Sequence, residues 1–166
     1  MSAPRTPPWW SAAAPASEET GRVSVSEQVK FTEVEPGTEL AQQSYPVSRL
    51  SLVKYCGASG DFNVIHWNER IARSVGLPNV IAHGMFTMAQ AGRYVTDWAG
   101  HRAELVEFGV RFSSMVVVPD DDAGATVEIS GQIEEKLDGN KVAIALTARA
   151  ADTKVLTRAR AIVRLP

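Results

Sequence analysis

A single cysteine, Cys56, leaves the chain with no internal disulfide and no thiolate metal cage. That scarcity points to a reducing, cytoplasmic setting. Charge of one sign is also missing. Seventeen Lys and Arg against 19 Asp and Glu leave a net charge of −2, with no basic excess to attract nucleic acid or an anionic membrane. Apolar runs such as Met115 to Val118 are far too short to cross a bilayer, so no membrane insertion is expected. The first residues lack the basic-then-apolar order of a secretory signal, because "AAAPA" at 12–16 has no apolar core before it. There is no GxGxxG, no P-loop, no serine elbow and no cluster of metal ligands. Neither a cofactor nor a metal is therefore expected.

What is present is ordinary for one soluble domain: 166 residues, 45% hydrophobic and 22% charged, enough to bury a sizeable core. Residues 1–25 are rich in Pro, Ala and Ser and lack periodicity, which reads as a disordered tail carrying the odd pair Trp9–Trp10. Residues 26–166 form the expected domain, with ordered chain beginning near Val29.

Along that domain "TELAQQSYPVS" has extended character after the turn former "EPG". Ser48 is placed to cap a short helix through Lys54, with Leu50, Leu52 and Val53 on a mixed apolar face and Gly57 and Gly60 ending it. Asn68 caps a second short helix, "ERIARSVG", closed by Gly76 and Pro78. A longer helix is predicted over 82–100. There Met85, Met88, Ala89, Gly92, Val95 and Trp98 recur at helical spacing, and nearly every face is apolar or small. The second half changes period. "AELVEFGVRF", "ATVEISGQIEE", "KVAIALTARAA" and "KVLTRARAIVRLP" are strand-like, separated by "PDDDAG", "LDGN" and "ADT". In the last, Val155, Thr157, Ala159, Ala161, Val163 and Leu165 alternate with Arg158, Arg160 and Arg164, as in a sheet with one wet side. The sum is an α+β architecture: a buried helix, a curling antiparallel sheet, and a second subunit covering what is left.

The chemistry concentrates in "YCGASGDFNVIHWNER", Tyr55 to Arg70. Asp61 and His66 lie five residues apart on an irregular segment, so carboxylate and imidazole can converge on one water and move protons both ways. On a regular strand the two would face opposite sides. Asn63 adds a neutral donor and acceptor able to orient a neighbour. The same residues also suit a plain solvated turn, with Asn63 as an Asx-turn and His66 structural. Gly84, at the start of the long helix, offers unpaired backbone N–H groups and the helix dipole to an oxygen with partial negative charge. It equally serves as a mere helix start. His83 reads as a core or cap histidine, His101 as a C-terminal cap, and Cys56 as packed rather than nucleophilic. An acid–base pair with an oxyanion-binding N–H suits proton abstraction next to a carbonyl.

"YCGASGDFNVIHWNERIA" resembles the hydratase-2 motif of the MaoC-like (R)-specific enoyl hydratases and dehydratases. Tyr55, Gly60, Asp61, Asn63, Ile65, His66 and Ala72 match that motif, and "IAHGMFTMAQAGRYVTDWAG" is similar to the family's central helix. The likeness runs from about Val29 to the C-terminus. Within the family it is strongest to the catalytic B-type subunit of mycobacterial-type (3R)-hydroxyacyl-ACP dehydratases, which serve fatty acid synthase II.

The resemblance implies a hot-dog fold, a curved antiparallel sheet around a long central helix, assembled as a dimer. It implies Asp61 and His66 as the catalytic dyad, Gly84 N–H as the binder of the thioester oxygen, and Asn63 as an orienting side chain. The implied substrate is a (3R)-3-hydroxyacyl thioester on acyl carrier protein or CoA. The implied partner is a related hot-dog subunit that helps form the acyl tunnel, or a second copy. Two alternatives follow: an (R)-specific enoyl-CoA hydratase homodimer in fatty-acid breakdown or polyester supply, and a non-catalytic tunnel-forming subunit. Val64 stands where the motif has proline, which leaves the loop with more unfolded-state freedom, on the order of 1 kcal/mol.

Overall fold

The computed structural model describes residues 28–166. The expected tail and the Trp9–Trp10 pair lie outside the described residues. Strand β1 spans Glu39–Val47, and helices α1 (Arg49–Ser59), α2 (Glu69–Ser74) and α3 (Gly84–Ala99) follow. Strands β2 (Glu104–Phe112), β3 (Ala125–Leu137), β4 (Lys141–Ala150) and β5 (Thr153–Arg164) complete the chain. They form one antiparallel sheet in the order β1-β3-β4-β5-β2, and α3 lies against β1, β2, β3 and β5. This is the α+β arrangement of a long helix held by a sheet.

Two features of α3 explain why it sits there. Thr87, Ala91, Tyr94, Val95 and Ala99 recur at i, i+4, i+7, i+8 and i+12 and are buried. Tyr94 then reaches across the sheet, where its hydroxyl donates at 3.0 Å to the carbonyls of Leu40 and Ala41, beside the irregularity in β1. Burial pushes its phenol up to about 12. The helix is not buried on every face, however. Met85 is 56% exposed and Ala89 is also open, so the sequence overstated its burial. Residues 85 and 89 lie nearly in line one turn apart, away from the 87-91-95 row.

The first helix also differs from expectation. It continues past Lys54 and through Gly57 to Ser59, and Gly60 alone ends it, in the left-handed conformation at φ 75°. Ser48 caps it as predicted, accepting from Ser51 N–H. Its buried face is Leu52 and Cys56, while Leu50 and Val53 point outward. Arg49 at its start is a clamp: the guanidinium donates to the Val118 carbonyl at 3.0 Å, to Glu69 at 2.7 Å and to Asn79 at 2.6 Å. It thereby fixes α1 to α2 and to the segment entering α3.

In β5 the predicted alternation breaks at Arg158, which adopts φ 46°. Leu156 pairs with Ala148 and Ala159 with Leu146, so an extra residue is inserted on β5. Ala159, Ala161, Val163 and Leu165 share their face with Leu156, not with Val155 and Thr157. A local bulge, invisible to an alternation count, turns the strand.

Candidate active site

Local hydrogen bonds build the loop after α1. Asp61 N–H donates to Ser59 Oγ at 3.2 Å, and Asn63 N–H donates to Asp61 Oδ1 at 3.1 Å. The Asn63 side chain accepts from Ile65 N–H at 3.3 Å and starts the single 3-10 turn Val64–His66. Successive Asx turns thus carry the chain from Asp61 to His66 in five residues. Asn63 acts here as a turn former: its backbone, rather than its amide, meets the Asp61 carboxylate.

His66 is 7% exposed, and its Nδ1–H donates to the Ile81 carbonyl at 2.7 Å. That bond settles the tautomer and leaves the Nε2 lone pair free. Burial, chiefly, holds its imidazole below the ordinary range; His83 reinforces this, while the Ile81 carbonyl and Asp61 oppose it. Asp61 by contrast has an open side chain, 54% exposed. One carboxylate oxygen of Asp61 and one ring nitrogen each of His66 and His83 lie within 4.8 Å of one another. A water making two bonds of about 2.8 Å spans such a gap.

Of the two readings the sequence offered for His83, the structure takes core over cap. The residue precedes α3 but makes no cap bond, and it is 2% exposed. Its ring stacks on His66, centroids 3.6 Å apart and 25° from parallel, with Tyr55 at 4.8 Å. Its Nε2 lies 3.1 Å from the Asp61 carbonyl oxygen, 4.0 Å from Asp61 Oδ2 and 3.7 Å from Cys56 Sγ. The only signal for this in the sequence was its place beside Gly84. Cys56 is buried, as expected of a packed side chain.

Gly84 opens α3, where the first N–H groups of a helix have no partner within it. A Cβ at this position would meet Phe112 ring carbons at 3.2, 3.3 and 3.4 Å, so glycine is what lets another group approach the backbone. A cleft of about 380 Å³ opens beside it, lined by Ala82, Thr87, Phe112, Ser113 and Met115 among others. A larger hollow of about 900 Å³ runs from Ser113 to Asp152 and includes none of Asp61, His66 and Gly84. His101 lies beyond the helix end and is exposed. There Gly100 N–H bonds Thr96 and Gln28 Nε2 bonds the Ala99 carbonyl, which is the capping assigned to His101 from sequence.

Asp61, His66 and His83 together resemble the donor set of a divalent-cation site. They fit a metal poorly, because His83 Nε2 already faces the Asp61 carbonyl and its other nitrogen is buried. The arrangement favours proton transfer over ligation.

The model of the MaoC like domain matches residues 30–151. The chain belongs to the MaoC-like family. This MaoC-like domain is 38% identical over 66 residues to 3-hydroxyacyl-thioester dehydratase X of Mycobacterium tuberculosis, a match covering 40% of this chain and 22% of that protein. A solved MaoC-like dehydratase superposes with a TM-score of 0.78 at 34% identity, over 84% of this chain and 43% of that one. The domain therefore spans less than half the length of these two relatives. A solved HadBC complex of Mycobacterium tuberculosis, a (3R)-hydroxyacyl-ACP dehydratase, shares the fold: TM-score 0.60 and 17% identity, over 77% of this chain and 96% of that one. The MaoC-like assignment agrees with the expected hot-dog fold. Among the described residues no helix is long and apolar enough to cross a membrane.

Proposed function

We propose that this MaoC-like domain catalyses reversible syn dehydration of a (3R)-3-hydroxyacyl thioester to the trans-2-enoyl thioester, without a cofactor. The observation that carries this reading is the convergence of an Asp61 carboxylate oxygen and a His66 ring nitrogen within 4.8 Å, in a ring whose Nδ1 is held by Ile81. Gly84 lines the neighbouring cleft together with Ile81, whose carbonyl holds His66, and supplies the backbone N–H there. That N–H stabilises negative charge gathering on the thioester oxygen. His66 Nε2 takes the C2 proton as electrons move toward the carbonyl. The imidazolium then gives that proton to the departing C3 hydroxyl, so one water leaves and the imidazole is neutral again. The Asp61 carboxylate accepts a hydrogen bond from the departing water and balances the transient positive charge on His66. Asn63 holds the turn that aims both groups.

The motif likeness and the name of the HadBC neighbour support an acyl carrier protein as thioester carrier and fatty-acid elongation as the setting, in the cytoplasm. They also support a second, related hot-dog subunit. Met85, Phe112 and Met115 form an open apolar rim beside Gly84, and β2 next to it is an edge strand of the sheet among the described residues. A subunit laid there would close the cleft into an acyl tunnel.

The test is hydration of trans-2-enoyl thioesters of matched chain length on acyl carrier protein and on CoA, followed by loss of enoyl absorbance. The chain is assayed alone and with candidate hot-dog partners. His66→Ala and Asp61→Asn, both folded, are each expected to lose about 10²- to 10⁴-fold in kcat. Full activity in either variant would sink the dyad. Faster turnover on CoA by the chain alone would favour an (R)-specific enoyl-CoA hydratase homodimer instead.

A further inference from the structure

His83 has a combination of contacts that packing alone does not explain. Its ring is 2% exposed, yet its Nδ1 is buried with no hydrogen-bond partner. An unsatisfied buried polar atom costs about 1–3 kcal/mol. A phenylalanine ring would fill the same space and stack on His66 without that cost. What the imidazole adds is Nε2, which faces the Asp61 carbonyl oxygen at 3.1 Å across 22 positions of sequence. A carbonyl accepts, so Nε2 carries the proton, and Nδ1 is left as the bare lone pair.

Asp61 otherwise has only near neighbours. Its remaining hydrogen bonds run to Ser59 and Asn63, each two positions away, on a turn that is open to solvent. His83 thus ties the Asp61 end of the turn to the start of α3, while Ile81 holds the other end through Ile65 and His66. The same residue lies flat under His66 and immediately precedes Gly84. One side chain therefore sets three elements of the site relative to one another.

We propose that His83 is a positioning residue: its Nε2–H anchors the Asp61 backbone while its ring supports His66, so that carboxylate and imidazole address the same water. This rests on the dehydratase reading of the site. Its consequence is specific. Losing the N–H while keeping the ring loosens Asp61 by an amount that matters for the reaction and little for substrate binding.

The experiment compares His83→Phe and His83→Gln with wild type, using the full chain with whichever partner gives activity and crotonyl and longer trans-2-enoyl thioesters as probes. His83→Phe is expected to lower kcat about 10²-fold with KM nearly unchanged, the effect of a small misplacement of a catalytic group. His83→Gln puts an amide N–H near the position of Nε2 and is expected to recover kcat to within about tenfold of wild type. Wild-type kcat in His83→Phe, or equal damage in both folded variants, would overturn the proposal. A readout independent of turnover is the imidazole ¹⁵N spectrum, in which His83 is expected to carry its proton on Nε2, the nitrogen that faces the Asp61 carbonyl. An Nδ1–H tautomer would overturn the anchor even if both variants failed to fold. A wild type inactive on every enoyl thioester would instead bring down the reaction, and the catalytic role with it, while the spectrum still decided the bond.

Discussion

His66 lies face to face with His83, centroids 3.6 Å apart, and each ring is turned by a backbone carbonyl: Ile81 for His66 and Asp61 for His83. Two imidazoles so close resist carrying positive charge together. Asp61 is the carboxylate beside the two rings.

The pH dependence follows from the depressed His66. Because burial holds its folded-state value below the ordinary imidazole value of about 6.5, the unfolded chain takes up the proton first as pH falls. The stability contributed by neutral His66 is fully present above about 6.5 and is lost as pH drops through that value toward the folded one. Chemical denaturation from neutral to mildly acidic pH is expected to show this decline. Replacing His66 with Ala should flatten that part of the curve. In kcat/KM the acid limb should lie below the ordinary imidazole value, and a limb above it would contradict a neutral base at His66.

Gly84→Ala separates stability from activity. Alanine restricts the unfolded chain by about 0.4–1 kcal/mol, which the Phe112 contact offsets, so melting temperature should change little. The new methyl meets the Phe112 ring at 3.2–3.4 Å and occupies the approach to the backbone N–H. Hydration is expected to fall about tenfold or more through kcat/KM. Adding Phe112→Leu should relieve the ring contact without restoring the rate, because the methyl still covers the N–H. A fully active Gly84→Ala would remove Gly84 from the site.

Val64→Pro tests the departure from the hydratase motif. Val64 is the first residue of the 3-10 turn, where a missing N–H is tolerated, and Asn63 before it has φ −55° and ψ 124°, a conformation that proline accepts in its predecessor. A 3-10 turn takes φ of about −50 to −70°, the range that proline's ring also fixes, so the turn at Val64 suits proline. The variant is expected to gain about 0.4–1 kcal/mol from the unfolded state, with kcat unchanged. A loss of stability would mean that the turn differs from the geometry described.

Much of this was legible in the chain itself because it is local. Asp61, Asn63 and Ile65 bond to each other within two positions, Ser48 and Asn68 cap their own helices, and the strands announce themselves by period. The fold could be named from likeness, and Asp61, His66 and Gly84 put forward as site residues from spacing and likeness. What was misjudged depends on neighbours that the chain brings from afar. The burial of α3 was overstated because its Met85 face has no sheet over it, and the alternation in β5 missed a bulge set by pairing on both sides.

The sequence by itself determined the helix cap at Ser48, the turn after Gly60 and the titratable side chains that turn carries, since these follow from backbone preferences and side-chain chemistry over a few positions. Only the tertiary structure decided which nitrogen of His66 is free and what His83 does. Both depend on carbonyls 15 and 22 positions away, and no local pattern encodes a contact of that range.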